Sequence, residues 1–287
     1  MQQEQLQSER DNFVKDGYVI LRNVIEKDFV IDLKTAVLES LNEQIRVLSR
    51  QISPSDSFKE FSTLIDVLLA EKESFFIFRD VWASLIQRNL IHRLFTQEQL
   101  FPYIADLLGQ DICFEDSPNF ALNLPDVSDA TKSWFFKEFH QEVWSGSDIH
   151  TIAFWTPIFQ SQPTEQVALV PGSHYWGHIP HRNRKPLNLP EPLDVLETDL
   201  ELGDVMLFHT LLLHRTVEIP SSGFPRLALT SVLKNFQWPN SSFERYSNWR
   251  ILSYSALSKI DMRLGNHQLS PFRLAELPNQ RFTDNLE

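Results

Sequence analysis

The sequence predicts a mainly β fold, a barrel or jelly roll with flanking helices on its N-terminal side. Two patterns predict this class. In the first part of the chain, apolar residues recur at spacings of three and four, as they do in amphipathic helices. From Asp111 onward, short apolar runs alternate with turn signals such as Pro171-Gly172-Ser173 and Gly203-Asp204. Many short strands separated by regular turns are typical of barrels and jelly rolls.

The chain is expected to form a single domain. Its 287 residues suffice for a sizeable core, and no low-complexity linker or internal repeat divides them. We expect a mostly helical scaffold over residues 1–110, a β core over residues 111–235, and a C-terminal segment over residues 236–287 that wraps the surface.

The helices are predicted from periodicity and end signals. They are expected over residues 27–48, over 61–92 as two helices with a break near 71–74, over 96–108, and over 253–262. For the helix over 96–108, Thr96 and Gln99 resemble a capping box and Gly109 is a plausible stop.

The strands are predicted from short apolar or alternating runs. They are expected over residues 18–21, 112–114, 119–124, 136–139, 149–155, 167–170, 204–208, 211–216 and 227–233. The single cysteine, Cys113, lies on one of them and is expected to be a small core residue.

Composition excludes several classes of function. The formal net charge of -12 argues against general binding of nucleic acid, which requires clustered lysine and arginine. One cysteine excludes a disulfide framework and a zinc site built from several thiolates. The polar first ten residues and the lack of a long apolar run predict a cytoplasmic protein without membrane insertion.

His140 and Glu142, two residues apart, are the first candidates for chemistry. On a β-strand, side chains two apart lie on the same face, so this pair could bind one metal ion while Gln141 points away. The same pattern is also typical of an exposed polar strand. A metal site needs a third ligand from elsewhere in the chain.

His214 is the candidate third ligand, although a histidine after three leucines is also typical of a core residue. Arg226 follows it and opens an apolar strand. An arginine entering a barrel needs an anionic partner, because an unpaired buried charge is very costly, and its planar fork suits a carboxylate. Two histidines and one carboxylate on one face of a metal are the geometry of non-haem Fe(II) oxygenases. The arginine would then hold the distal carboxylate of 2-oxoglutarate.

Several short motifs occur in a definite order between about residues 11 and 235. They are Phe13-Val14-Lys15-Asp16-Gly17-Tyr18-Val19, Asn123-Leu124-Pro125, His140-Gln141-Glu142, Phe154-Trp155-Thr156-Pro157, Val170-Pro171-Gly172-Ser173-His174, Gly203-Asp204, and Leu212-Leu213-His214-Arg215-Thr216 followed by Arg226. Each motif is short, but the ordered series resembles the phytanoyl-CoA dioxygenase family of Fe(II)/2-oxoglutarate oxygenases.

The resemblance implies a double-stranded β-helix, that is, a jelly-roll or cupin-like core. It implies Fe(II) and 2-oxoglutarate as cofactor and cosubstrate, with O2 as the oxidant. The implied metal ligands and catalytic residues are His140, Glu142 and His214. The implied cosubstrate residues are Arg226, Thr216, Trp155, Asn123 and Phe120.

Glu142 departs from the pattern of the resembled family, which usually has aspartate at this position. Glutamate keeps the charge and the oxygen ligand but is one methylene longer, so we expect metal binding to survive, against the alternative of impaired binding. Relatives that halogenate carry a small residue there, and Glu142 therefore argues against halogenation.

Three residues are candidates for contact with the substrate, namely Trp144, His174 and Arg182. Trp144 could instead simply pack. Arg182 belongs to a basic stretch over residues 178–185, which is either a solvated loop or a lid over an anionic substrate such as a phosphate, carboxylate or coenzyme thioester. For His209, a core or surface role is expected.

These residues predict an Fe(II)- and 2-oxoglutarate-dependent dioxygenase that hydroxylates a small or medium-sized molecule and releases succinate and CO2. Two alternatives stay open: a non-catalytic jelly-roll module that binds a small ligand, and a metal hydrolase that uses the same triad with zinc. The sequence identifies neither the substrate nor the oligomeric state, since one fold supports many chemistries.

Overall fold

The structure is a computed structural model. It describes residues 2–48, 61–62, 64–65, 74–116, 120–125, 138–160, 167–219, 223–238 and 249–263. The predicted strand residues 136–137, and all but the first part of the predicted C-terminal segment over 236–287, lie outside the described residues.

The described helices lie mostly before residue 110. They are α1 (Gln2–Asp16), α2 (Lys27–Leu48), α3 (Ser74–Gln87), α4 (Leu90–Phe95), α5 (Phe101–Leu108) and α6 (Ala256–Arg263). None of these described helices is both long and apolar enough to cross a membrane.

The strands follow, apart from β1, in the second part of the chain. They are β1 (Tyr18–Leu21), β2 (Ile112–Glu115), β3 (Phe120–Asn123), β4 (Thr151–Phe159), β5 (Val167–Leu169), β6 (His181–Arg182), β7 (Lys185–Pro186), β8 (Leu196–Glu197), β9 (Val205–His209), β10 (His214–Thr216), β11 (Arg226–Asn235) and β12 (Trp249–Ser253).

Among the described residues, all strand pairs are antiparallel and form two sheets and one hairpin. The larger sheet has the order β1-β9-β4-β11-β2-β12, with β3 also paired to β11, and the smaller sheet has the order β10-β5-β8. The hairpin consists of β6 and β7. Because β1 and β12 both join the larger sheet, that sheet draws strands from outside residues 111–235.

Alternation along β4 explains the layers of the fold. Ile152 and Phe154 belong to the apolar core that includes the helices, and Phe95 of α4 meets Phe154 edge-on with ring centroids 5.0 Å apart. Ala153 and Trp155 point to the other side and pack with the apolar residues of β5. The period of two therefore gives the larger sheet a helix-covered outer face and an inner face against the smaller sheet.

The Asp16-Gly17 turn is a clasp, that is, a turn that connects two distant segments of the chain. Gly17 has a φ of 83°, a conformation that favours glycine, and an added Cβ would lie 2.5 Å from Nδ1 of His174. The carbonyl of Asp16 accepts a hydrogen bond from the backbone of Gly172. This turn therefore joins the end of α1 to the segment after β5.

Gly203-Asp204 forms a second clasp. The buried Asp204 carboxylate accepts hydrogen bonds from the Arg22 guanidinium and from the backbone N–H of Asn23 and Glu201. These bonds attach the turn before β9 to the end of β1.

Several expectations are confirmed and others are wrong. The double-stranded jelly roll is confirmed, and α2 has the predicted bounds. The capping box is wrong, because Thr96 ends α4 with its hydroxyl bonded to the His92 carbonyl, and α5 begins only at Phe101. The strand through Glu142 is also wrong, since Glu142 begins a 3-10 helix, Glu142–Ser145.

His209 gives the fold a testable dependence on pH. Burial, and then the nearby His174 and His150, lower the pKa of His209 to about 4. In the unfolded chain, His209 binds a proton near pH 6.5, whereas in the folded chain it binds one only near pH 4. The free energy of unfolding therefore decreases as pH falls from about 6.5 towards about 4.

The variant His209→Asn keeps an acceptor for the Leu211 N–H. Between pH 7.5 and pH 5, we expect its free energy of unfolding to decrease by about 1 to 3 kcal/mol less than that of the native protein. Urea unfolding of metal-free protein at pH 7.5 and pH 5 measures it. Equal pH dependence in the native protein and the variant would contradict the assignment.

Candidate metal centre

Three side chains converge between the two sheets near the start of β10. Nε2 of His214 lies 3.2 Å from Oε1 of Glu142, and Nε2 of His140 lies 3.9 Å from the same oxygen. One ligand atom from each residue lies within 4.8 Å of the other two. Ligands at right angles on one metal lie about 3 Å apart when each bond is about 2.1 Å. The cluster is thus close to a facial metal site in its geometry.

The backbone brings the two histidines together. His140 and His214 form an isolated antiparallel bridge, in which each backbone N–H donates to the carbonyl of the other at 2.8 and 3.0 Å. Their rings consequently lie side by side with centroids 4.3 Å apart. This bridge brings His140 next to His214, although the two residues are distant in the sequence, as predicted.

Hydrogen bonds fix the orientation of both rings. Nδ1 of His140 lies 2.9 Å from the Glu138 carbonyl oxygen, and Nδ1 of His214 lies 2.9 Å from the Leu212 carbonyl oxygen. A carbonyl oxygen can only accept, so both Nδ1 atoms carry the proton. Each Nε2 therefore faces Glu142 and could bind a metal ion through its lone pair, as metal-bound histidines do.

Electrostatics favour a cation at this point. Burial, followed by the neighbouring His214, lowers the pKa of His140 to about 4, which leaves its imidazole neutral at pH 7. Burial raises the pKa of Glu142, but the hydrogen bond and charge of His214 outweigh it and lower the pKa to about 2. Lone pairs and an ionised oxygen that face one another repel unless a proton or a metal ion lies between them.

Gln141 supports the cluster from behind. It points away from the metal ligands, as predicted, and is fully buried. Its side-chain amide donates to the carbonyls of Gly177 and Leu211 and accepts from the N–H of Ile179. Because buried polar groups are costly when unpaired, these bonds fix the segment between His140 and Glu142.

Arg226 and Asn123 meet beside the far end of β10. They are direct partners in the pairing of β11 with β3. The Arg226 guanidinium and the Asn123 amide both donate to the Val217 carbonyl at 2.7 Å. Thr216 precedes Val217 and lies two residues after His214, on the same side of β10. Three of the predicted cosubstrate residues are thus brought together.

The other two predicted cosubstrate residues lie on opposite faces of the larger sheet. Trp155 is on the inner face and packs with the apolar cluster between the sheets. Phe120 is on the outer face, where its ring contacts Phe78 and Trp82 of α3. The register of β3 against β11 sets this direction, so the structure does not bring Phe120 to the predicted pocket.

The three candidate substrate residues also separate. Trp144 lies on the 3-10 helix that Glu142 begins, and its ring stacks on His181 with centroids 4.5 Å apart. Arg182 is exposed on β6. His174 bonds the Val14 carbonyl and contacts His209, on the side of the N-terminal clasp. These described contacts lie beside the Asp16-Gly17 turn and not at the metal cluster.

Sequence reasoning missed several residues that position the cluster. Besides Gln141, these are Glu138, whose carbonyl holds His140, and Ser173, whose hydroxyl accepts from the N–H of Leu213. Arg184 was considered only within the basic stretch over residues 178–185; its positive charge, a smaller influence than burial, lowers the pKa of both His140 and Glu142. Ser173 was noted in the motif Pro171-Gly172-Ser173, but its hydrogen-bond partner, Leu213, is visible only in the fold.

Fold and cluster together define a jelly-roll protein with two histidines and one carboxylate that could hold one metal ion. The family model for phytanoyl-CoA dioxygenase (PhyH) matches residues 13–228, which is more than half of the chain. This chain therefore belongs to the phytanoyl-CoA dioxygenase family, and the predicted iron and 2-oxoglutarate are confirmed at the level of the family. A sequence comparison with curated proteins gives no match.

Solved structures support the same fold. The apo form of ThoJ, a non-heme monooxygenase, is 14% identical with a TM-score of 0.57, and the alignment covers 85% of this chain and 83% of that chain. SnoN, a non-heme alpha ketoglutarate dependent epimerase from nogalamycin biosynthesis, is 15% identical with a TM-score of 0.53, covering 88% and 98%. EctD from S. alaskensis, in its apoform, is 16% identical with a TM-score of 0.52, covering 85% and 80%. At these identities the likeness concerns the fold.

The cluster predicts a single divalent metal site of defined composition. We expect the native protein to bind one Co(II), a spectroscopic substitute for Fe(II), and His214→Ala to weaken binding at least about 100-fold, since it removes a ligand. Calorimetric or optical titration measures this. His92→Ala, on α4 in the outer layer, is the control and should leave the affinity unchanged. Equal binding by native protein and His214→Ala would contradict the site.

Proposed function

We propose that this chain is an Fe(II)- and 2-oxoglutarate-dependent dioxygenase that hydroxylates a small or medium-sized organic molecule, with release of succinate and CO2. The observation that carries the proposal is the arrangement along β10. His140, Glu142 and His214 meet at its start, and the buried Arg226 reaches the residue just after its end.

The metal ligands leave one side of the site open. His140, Glu142 and His214 would hold the ion on one face, so three positions remain for cosubstrate and oxygen. Iron(II) bound there would supply the activation of O2 coupled to oxidative decarboxylation of 2-oxoglutarate. Because carbonyl groups hold both rings at Nδ1, the ligand atoms are oriented in advance.

Arg226 and Thr216 would anchor the other end of 2-oxoglutarate. A planar guanidinium suits a carboxylate, and Arg226 is 8% exposed, so its charge acts with little screening. Thr216 would donate its hydroxyl beside it. Two residues of a strand span about 7 Å, which is comparable to the length of a five-carbon dicarboxylate.

The interior between the sheets would keep water out. Met206 and Phe208 of β9 and Leu169 of β5 are buried there, with Trp155 packed against them. A dry pocket strengthens charge interactions and protects reactive states from solvent. Phe208 also meets the His214 ring edge-on, with centroids 4.7 Å apart, and so helps to hold that ligand.

Glu142 bears on the outcome of the reaction. It supplies the carboxylate whose loss opens a halide position in halogenating relatives. With that position filled, we propose transfer of a hydroxyl group to the substrate. Glu142 begins a 3-10 helix, and its Oε1 lies 3.2 Å from Nε2 of His214, so the longer side chain still reaches the cluster.

The cosubstrate anchor can be tested without knowledge of the substrate. Under anaerobic conditions, Fe(II) and 2-oxoglutarate should produce a metal-to-ligand charge-transfer band with the native protein. We expect Arg226→Leu to weaken the binding of 2-oxoglutarate about 30- to 100-fold in this titration, because a charge-assisted pair is lost. The control is Arg215→Gln, since Arg215 points away from the cluster to Glu197 and the ring of Phe139.

The outcomes separate the proposal from its alternatives. Metal binding without a charge-transfer band would favour a hydrolase that uses the same ligands. Absence of both metal binding and the band would favour a non-catalytic ligand-binding module. Equal affinity for 2-oxoglutarate in native protein and Arg226→Leu would contradict the role of Arg226.

A further inference from the structure

A short hairpin lies next to the metal cluster. It is formed by β6 and β7, and His181 of β6 stacks on Trp144, two residues after Glu142. Ile179, just before the hairpin, is buried in a cluster with Leu213, the residue before His214. The hairpin therefore packs on both segments that carry the metal ligands.

Two side chains attach this hairpin to the ligand-bearing segment. Gln141 accepts from the Ile179 N–H at 2.9 Å and so holds the entry to the hairpin. Glu138 pairs with Lys185 at 2.8 Å and so holds its second strand, while its own carbonyl binds His140. The hairpin is consequently fixed on either side of His140 rather than solvated as a separate loop.

The turn of the hairpin contains an unusual residue. Asn183 and Arg184 occupy its two central positions, with φ values of 52° and 62°. Two-residue hairpin turns of this hand favour Asn-Gly, because a side chain at positive φ is strained. Here the second position carries arginine, and its N–H bonds Nδ1 of His181. A demanding backbone position therefore presents a long cationic side chain, which is a reason to look for function.

The Arg184 side chain lies on the hairpin that packs against the metal cluster. It is half-buried, whereas Arg182 on the same hairpin is exposed. Burial is the largest influence on the pKa of both His140 and Glu142, and the Arg184 charge is a smaller one that lowers each. With a divalent metal also bound, this side of the site would carry a strongly positive potential.

We propose that Arg184 binds an oxyanion of the primary substrate, a carboxylate or a phosphate, beside the metal centre. The inference rests on the proposed function and names the substrate class of the same site. Arginine is suited to this task because its planar fork bonds either anion in a bidentate manner. Arg226 lies at the other end of β10 and would bind the cosubstrate carboxylate. Each arginine would therefore bind a different anion.

The experiment uses substrate-stimulated succinate formation by the iron-loaded protein. The probes are alkyl and aryl carboxylates, each beside its methyl ester, and alkyl and aryl phosphate monoesters, each beside its alcohol. We expect anionic members of these pairs to stimulate turnover above the uncoupled background and their neutral partners to fail. Whether the carboxylate or the phosphate arm responds identifies the anion.

Two glycine variants isolate the guanidinium. Arg184→Gly removes it and relieves the strained turn, while Asn183→Gly relieves the neighbouring position and keeps the charge. For the stimulating anion, we expect Arg184→Gly to raise KM about 10- to 100-fold and Asn183→Gly to leave it within about twofold. Affinity for 2-oxoglutarate, read from the charge-transfer band, should not change in either variant.

Several results would overturn the inference. These are stimulation by neutral compounds alone, no stimulation by any anion, an unchanged KM in Arg184→Gly, or an equal loss of 2-oxoglutarate affinity in that variant. A native protein that forms no charge-transfer band would overturn the proposed function as well. A band without stimulation by anions would overturn only the role of Arg184.

Discussion

The structure depends on three electron-rich atoms that face one another in a buried space. Backbone carbonyls accept from the Nδ1 proton of each imidazole, so His140 and His214 both direct Nε2 towards the Glu142 carboxylate. Such an arrangement is unfavourable without a positive charge at its centre. Much of the surrounding structure, including the buried amide of Gln141 and the hydroxyl of Ser173, serves to hold these atoms in that orientation.

The jelly roll turns this local requirement into a directional site. The bridge between His140 and His214 places the metal position at the start of β10, and the pairing of β11 with β3 places Arg226 at its end. Cosubstrate would lie along the strand between these points. The hairpin around Arg184 lies at the ligand end, held by Glu138. One strand of three residues thus separates the two positive groups that we assign to two different anions.

How far the sequence predicts this arrangement depends on whether a feature is local. Periodicity fixed the bounds of α2, and the ordered motifs brought His140, Glu142, His214 and Arg226 into one hypothesis. The 3-10 helix at Glu142 was missed because two candidate ligands two residues apart, His140 and Glu142, also fit the same face of a strand. The face of Phe120 depends on strand register, which is a long-range property. Arg184 was predicted only as part of the basic stretch over 178–185, and its turn was not predicted because Asn-Arg lacks the glycine that marks such a turn.

The central claim, that two imidazoles and one carboxylate hold a single metal ion, is tested most directly by X-ray absorption spectroscopy. The sample is protein loaded anaerobically with one equivalent of Fe(II) and 2-oxoglutarate. The account predicts a first shell of nitrogen and oxygen at about 2.1 Å and outer-shell scattering from two imidazole rings. A spectrum without imidazole scattering, with iron surrounded by oxygen alone, would contradict it.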